Sequence, residues 1–343
     1  MEKKKRDYNI DFFRGLAALS IILIHTAFWS GSLYLKPAIQ SLFLILDVPA
    51  FIFISGMTFH YSESVLKTIK NLIKIWKKYI VFILFYFLLI FILDRNNFNI
   101  RDIYPALFFK IKEPNVLPVV MGSMWFMFMF ISVNIISSII ITSFNKYANK
   151  KSDFKYILLF LFFIYGIGSY YTGPYNIINQ EITFYTLIYC LGYYFYKEKI
   201  NLKKYLGTLV FISLIILIFF RGNNPISFGK MQDYKAKTHI IYLIYSFISL
   251  STITYFKDRI KIKDNNPINL IGTNALELFF IQGISSSLIY YLYPFIANHH
   301  WLIKLITMAV FNLSLALTIF IIYLYIKENY YKKAKDFIIK KLA

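Results

Sequence analysis

The residues that could do chemistry stand in one apolar stretch near the N-terminus, from Asn9 to Trp29. A stretch of about 20 apolar residues is long enough to cross a bilayer as a helix. Arg14 and His25 lie 11 residues apart in it, so a helix turns through about 1100° between them and presents both on one face. Asp11 falls on nearly the same face. Because ionisable groups are costly inside a membrane, this stripe predicts a functional site.

Arg14 and Asp11 predict an anion-binding end of the stripe. The guanidinium of Arg14 offers a fork of donors that matches phosphate oxygens, and Asp11 can pair with it at spacing i, i+3. Gly15 allows close approach by another helix or by a ligand. The alternative is that Arg14 is a snorkelling charge that sets the topology of the chain.

His25 lies about 16 Å further along the helix, near the middle of the span. Burial favours a neutral imidazole, which can accept a proton from a sugar hydroxyl as a general base. The alternative is a histidine that only packs. The predicted spans hold no second His or Cys at ligand spacing, so we predict no metal site.

Two later carboxylates are candidates for orienting His25. Glu277 is expected near the middle of its span, at a depth similar to that of His25, and a buried carboxylate needs a partner. Asp47 lies in the outer half of its span and could orient the imidazole or bind a hydroxyl. For both, a polar contact between helices is the other reading.

Two further residues are predicted to contact substrate. Ser55 precedes Gly56, and Pro49 bends the helix that carries them, so this segment can pack closely. Trp125 is expected near the outer interface, where an indole serves either as a belt residue or as a platform on which a sugar stacks.

The segment from Ser64 to Lys78 has Lys at three- and four-residue steps with apolar residues between. This pattern predicts a basic amphipathic helix on the membrane surface. One interpretation is that this helix contacts lipid. The alternative is that Lys74, together with Lys77 or Lys78, helps Arg14 to hold a polyanionic ligand. The chain contains no Gly-rich nucleotide-binding loop.

The composition predicts an all-α integral membrane protein of one domain, residues 1–343. The chain is 58% hydrophobic, with a mean hydropathy of +0.56, which excludes a soluble domain. About ten transmembrane helices are expected, at 9–30, 39–61, 78–94, 121–144, 155–171, 182–196, 205–220, 238–256, 267–293 and 300–326.

The distribution of charge predicts that both termini are cytoplasmic. Most of the 38 Lys and Arg residues fall in the loops on the side of the N-terminus, as the positive-inside rule requires, and 327–343 forms a basic cytoplasmic tail. The net charge of +21 therefore indicates contact with membrane lipids, not with nucleic acid. We predict a multi-pass protein of the cell (inner) membrane without a cleaved signal peptide. Cys190 is the only cysteine, which excludes an internal disulfide.

Several motifs resemble those of the membrane acyltransferase-3 family. The first helix of that family carries a basic residue, ten spacer residues and a histidine, which Arg14 and His25 match. The segment FIFISG (51–56) is similar to its FFxxSG signature, and Met124-Trp125-Phe126 to its (L/M)WF motif. A family R-x-x-R pair corresponds to Lys74 and Lys77, both lysines here. Gln282 stands where the family often has a late histidine, so we assign it no proton-transfer role.

The resemblance implies transfer of an acyl group, usually acetyl, from cytoplasmic acyl-CoA to a hydroxyl of an extracytoplasmic or lipid-linked carbohydrate. Acyl-CoA is then the donor, and no metal is required. His25 then either acts as a general base on the acceptor hydroxyl or briefly carries the acyl group itself. Some relatives carry an additional extracytoplasmic domain; without one, this chain acts alone or with a separate extracytoplasmic transferase. The rival hypothesis is a transporter or exporter of a glycan or its precursor, against which no internal repeat is visible.

Overall fold

The computed structural model of the protein is an assembly of helices. It describes residues 7–28, 34–96, 98–110, 116–148, 153–170, 179–198, 231–263 and 265–331. Within these ranges every regular element is helical, which confirms the all-α prediction. The predicted span at 205–220 and the tail from 332 onward lie outside the described residues.

The helices are numbered here in chain order, with short 3₁₀ turns at Leu44–Leu46 and Ile100–Asp102 and a π-helical turn at Lys327–Tyr331. They are α1 (Tyr8–Phe28), α2 (Pro37–Phe43), α3 (Val48–Phe59), α4 (Val65–Leu93), α5 (Ile103–Leu107), α6 (Pro118–Ser123), α7 (Trp125–Tyr147), α8 (Phe154–Tyr170), α9 (Gln180–Lys197), α10 (Met231–Ala236), α11 (Ile240–Phe256), α12 (Pro267–Thr273), α13 (Ala275–Ile296) and α14 (Trp301–Ile326).

Among the described residues, six helical segments are long and apolar enough to cross a membrane. Helices α8 and α11 are apolar but shorter. The protein is therefore a multi-pass membrane protein, while the number of ten spans and the orientation of the termini stay predictions. The six segments are Tyr8–Phe28, Pro37–Phe59, Val65–Leu93, Pro118–Tyr147, Ala275–Ile296 and Trp301–Asn329.

Three helices that the sequence predicted as continuous are broken. The segment Pro37–Phe59 leaves helical geometry at Asp47, where the backbone is extended and Pro49 follows in the next turn. The segment Pro118–Tyr147 breaks at Met124, and the predicted span 267–293 breaks at Asn274. Irregular backbone at membrane depth is tolerated where it lines a cavity, so these breaks mark where a site should be sought.

One predicted boundary was wrong. The basic segment from Ser64 to Lys78 is not a separate surface helix, because α4 runs without interruption from Val65 to Leu93. Its 29 residues span about 44 Å, which is longer than a hydrocarbon core. Its second half exposes apolar side chains such as Leu88 and Ile92, as a lipid-facing helix does.

Glycines let the central helices touch backbone to backbone. A Cβ on Gly15 of α1 would lie 2.2 Å from the Ile268 carbonyl oxygen of α12, and one on Gly272 would lie 1.8 Å from the Asp11 carbonyl oxygen. A Cβ on Gly56 of α3 would lie 2.0 Å from the Tyr189 carbonyl oxygen of α9. Small residues allow such close approach in membranes. Gly15 therefore serves helix packing, one of the two uses expected of it.

A buried polar network fixes α1 against α13 and α14. Asn312 Nδ2 donates to Thr26 Oγ1 at 2.9 Å and to Ser286 Oγ at 3.0 Å, and Ser285 Oγ donates to Asn312 Oδ1 at 2.6 Å. Hydrogen bonds between side chains hold membrane helices in register. Because Thr26 follows His25 directly, this network also sets the depth of His25.

Candidate functional site

One cavity of about 860 Å³ joins the two ends of the predicted stripe. Arg14 and His25 both line it, together with residues at or beside all three helix breaks: Asp47, Trp125 and Ala275. The three helix breaks therefore lie at the wall of the cavity. We call the part near Arg14, Thr68 and Lys78 the Arg14 end, and the part near His25, Asp47 and Lys235 the His25 end.

The Arg14 end holds the predicted ion pair. Arg14 Nη1 donates to Asp11 Oδ1 at 3.0 Å, within one turn of α1. Asp11 is buried, whereas a quarter of the Arg14 side chain is exposed. Asp11 therefore holds the guanidinium from behind, and Arg14 is the side chain that faces the cavity.

Glu277 lies at the Arg14 end, so the expectation that it pairs with His25 was wrong. Its Oε1 accepts from Lys78 Nζ at 2.7 Å and from Lys327 Nζ at 3.3 Å. The break at Asn274 places Glu277 in the first turn of α13 rather than in mid-membrane. Along α1, Arg14 lies about 18 Å from Thr26 of the Asn312 network. Along α13, Glu277 lies about 13 Å from Ser286 of the same network and in the same direction.

Lys78 is the basic residue of α4 that lines the cavity. Lys74 and Lys77, predicted as donor contacts, are exposed and are not among the lining residues. On a helix, Lys78 follows Lys74 and Asn71 on one face, whereas Lys77 is turned by about 100° from Lys78. The binding role of Lys74 and Lys77 stays a prediction.

Asp47 is the buried carboxylate of the His25 end. Its Oδ2 accepts from Tyr242 Oη and from Lys235 Nζ, both at 2.7 Å. Only 1% of the Asp47 side chain is exposed, and its Oδ1 has no hydrogen-bond partner among the described residues. Asp47 lines the cavity, and a buried polar atom without a partner calls for one, so Oδ1 is a candidate acceptor for a ligand hydroxyl.

Lys235 is a site residue that sequence analysis missed. It belongs to α10, which lies in the segment 221–237 that was interpreted as an outer loop. Its ammonium lies 6.0 Å from the centroid of the Trp125 ring, so it contacts Trp125 as well as Asp47. The only sequence signal was indirect: a buried Asp47 needs a cation, and the spacing did not indicate which one. Glu181 and Gln232 also line this part of the cavity.

Gln282 lies beside His25 but is not a lining residue of the cavity, whereas Ser55 is. Gln282 is fully buried and its side chain interacts with the His25 ring, whereas sequence analysis assigned it no role in proton transfer. Ser55 lines the cavity, but its Oγ donates to the Phe51 carbonyl oxygen of its own helix at 2.9 Å. Trp125 lines the cavity at the first residue of α7. The substrate contacts of Ser55 and Trp125 stay predictions.

The arrangement combines a cationic end and a buried imidazole in one cavity. Comparison with curated proteins and with solved structures gives no match. The family model described as an acyltransferase domain matches residues 7–327, a range that contains every cavity-lining residue named above. The chain therefore belongs to the acyltransferase-3 family and has the helical membrane architecture and the acyl-transfer activity that this membership implies.

Proposed function

We propose that the protein transfers an acyl group, acetyl in the simplest case, from acyl-CoA to a hydroxyl of a carbohydrate or lipid-linked sugar. The observation that carries the proposal is the single cavity that joins Arg14 to His25. The donor enters at the Arg14 end, on the side predicted to be cytoplasmic, and the acceptor enters at the His25 end.

The Arg14 end suits the donor because CoA carries phosphates and a long flexible arm. The forked guanidinium of Arg14 binds the diphosphate, and Asp11 keeps the fork in place. The rise of about 16 Å from Arg14 to His25 along α1 gives the pantetheine arm the room to place the thioester beside the imidazole. No metal takes part in this proposal.

The His25 end suits proton transfer to and from the reacting groups. The acceptor oxygen attacks the thioester carbonyl, and its proton passes to the imidazole of His25. The C–S bond then breaks, and the imidazolium returns the proton to the leaving thiolate. Asp47, held by Lys235 and Tyr242, accepts a hydrogen bond from an acceptor hydroxyl through Oδ1. The Trp125 ring provides a surface on which a sugar stacks.

The test uses purified protein in nanodiscs with acetyl-CoA labelled in the acetyl group. The acceptor is the glycan and glycolipid fraction of the host membrane. We expect label to move into that fraction with stoichiometric release of CoA, and we expect a His25→Gln variant to lose this transfer while it still binds acetyl-CoA. If the wild-type protein binds acetyl-CoA and His25→Gln transfers label at the wild-type rate, His25 is not the base.

The helix breaks leave one rival hypothesis to test. Discontinuous membrane helices with polar residues at mid-depth are also typical of secondary transporters, and the breaks at Asp47 and Met124 have that form. A transporter would move a labelled glycan or its precursor across a vesicle membrane without releasing CoA. Acceptor-dependent release of CoA, with no transport when acyl-CoA is omitted, supports the transferase.

A further inference from the structure

The proposed acyl transfer gives no role to one charged cluster at the Arg14 end. Glu277 is buried, with 7% of its side chain exposed, and it joins two lysines that come from distant parts of the chain. Lys78 belongs to α4, and Lys327 follows the end of α14. We call Lys78, Glu277 and Lys327 the lysine clamp.

The two ammonium groups of the lysine clamp can bind more than Glu277. An ammonium has three N–H donors. In the described structure Lys78 Nζ bonds to Glu277, and Lys327 Nζ bonds to Glu277 and to Asn274 Oδ1. The Lys78 side chain is 49% exposed and the Lys327 side chain 38%. Each lysine therefore keeps N–H donors and exposed surface for a ligand while Glu277 holds its charge in place.

Lys78 and Glu277 line the Arg14 end of the cavity, and Lys327 joins them through Glu277. Asp11 bonds to Arg14, and Glu277 bonds to Lys78 and Lys327. Each of the two clusters therefore consists of a buried carboxylate that is bonded to one or two cations. Two such clusters suit a ligand with two separate phosphate groups. Acyl-CoA is such a ligand: its diphosphate and its 3′-phosphate stand on opposite sides of one ribose.

We propose that the lysine clamp binds the 3′-phosphate of acyl-CoA, while Arg14 binds the diphosphate. This inference rests on the proposed function and deepens it, because it assigns the residues that bind the second phosphate group of the acyl-CoA donor. Glu277 is a positioning residue, which acts by holding Lys78 and Lys327. The inference also places the 3′-phosphate at lysines other than Lys74 and Lys77.

The test compares acetyl-CoA with acetyl-3′-dephospho-CoA by calorimetry on the full chain in nanodiscs. We expect the wild-type protein to bind acetyl-CoA about tenfold more tightly than the dephospho compound. Lys78→Ala and Lys327→Ala should bind the two compounds almost equally. Lys74→Ala and Lys77→Ala test the rival phosphate site on the same helix as Lys78 and should keep the tenfold preference. Arg14→Ala should weaken both compounds and keep their ratio.

Glu277 provides a second measurement. Because an amide oxygen still accepts hydrogen bonds from lysine, Glu277→Gln should keep most of the preference, whereas Glu277→Ala should reduce it in the way Lys78→Ala does. A purely structural role would instead lower stability in both variants and leave the preference unchanged.

The outcomes separate this inference from the proposed function. Equal binding of the two compounds by wild-type protein, or loss of the preference in Lys74→Ala or Lys77→Ala, overturns the lysine clamp and leaves acyl-CoA as the donor. If folded wild-type protein binds neither compound, acyl-CoA is not the donor, and the proposed function fails together with the inference.

Discussion

The Lys235 ammonium lies 2.7 Å from the Asp47 carboxylate, although 188 residues separate the two in the chain. Asp47 stands where a membrane helix breaks, and Lys235 stands on a short helix outside the six candidate spans. Their contact forms part of the wall of the His25 end of the cavity. It also provides the most direct test of how this end is held together.

We expect Lys235→Met to destabilise the protein because it leaves Asp47 buried without its cation. Loss of one partner from a buried ion pair costs about 3–5 kcal/mol of stability. Because 13% of the Lys235 side chain is exposed, we expect a cost near the lower of these two values. The measurement is the apparent melting temperature in detergent. Lys237→Met, an exposed neighbour, is the control and should melt like wild type.

A double variant checks this interpretation. Asp47→Asn combined with Lys235→Met removes both charges, so it should recover about half of the lost stability. If Lys235→Met melts at the temperature of Lys237→Met, the ion pair does not stabilise this end.

Donor binding and acyl transfer should depend on different residues of α1. We expect Arg14→Ala to weaken acetyl-CoA binding by about tenfold or more, because it removes the fork that binds phosphate. His25→Ala should bind acetyl-CoA within about threefold of wild type and lose transfer by about 10²-fold or more. Calorimetry gives the binding, and labelled acetyl transfer gives the rate. Equal loss of binding in both variants would contradict the division of the cavity into two ends.

Trp125 should act on the acceptor and not on the donor. If a sugar stacks on its ring, Trp125→Ala should raise the KM for the acceptor by about tenfold, whereas Trp125→Phe should preserve most of the contact. The dissociation constant of acetyl-CoA should stay at the wild-type value in both variants. A change in donor affinity, with the acceptor KM unaltered, would place the acceptor elsewhere.

The crossing of α3 and α9 should not tolerate a larger residue at Gly56. A Cβ at this position would lie 2.0 Å from a backbone oxygen of Tyr189, and backbone cannot move aside as a flexible side chain can. We expect Gly56→Ala to lower the yield of folded protein sharply, as judged by size-exclusion chromatography. Gly166→Ala in α8 is the control, because a Cβ there meets nothing within 4 Å. A normal yield of Gly56→Ala would show that the two helices can separate.

The sequence predicted local relationships well because they depend only on helix geometry. The Arg14–Asp11 pair follows from spacing i, i+3, and the shared face of Arg14 and His25 follows from 11 residues of regular helix. Arg14 and His25 line the same cavity, as two side chains on one helix face can. The family motif around Gly56 likewise indicated close packing, and the structure shows which helix uses it.

Prediction from the sequence failed where a helix breaks or where the partner of a side chain is remote in the chain. Glu277 was placed too deep because the interruption at Asn274 does not alter hydropathy, so 267–293 looked continuous. Lys235 was interpreted as a loop residue because nothing local indicates that α10 folds back onto Asp47. The preference of the cavity for Lys78 over Lys77 depends on how α4 is rotated about its axis, which tertiary packing decides and periodicity alone does not.

Cys190, the only cysteine of the chain, lies fully buried in α9. Thiol reagents react with exposed thiolates, and a buried thiol is inert. The natural sequence is therefore already a suitable background for site-directed labelling, in which one added cysteine at a time is probed from either face of a sealed vesicle. Each loop can be assigned to its side of the membrane in this way without first replacing a residue in the helix core.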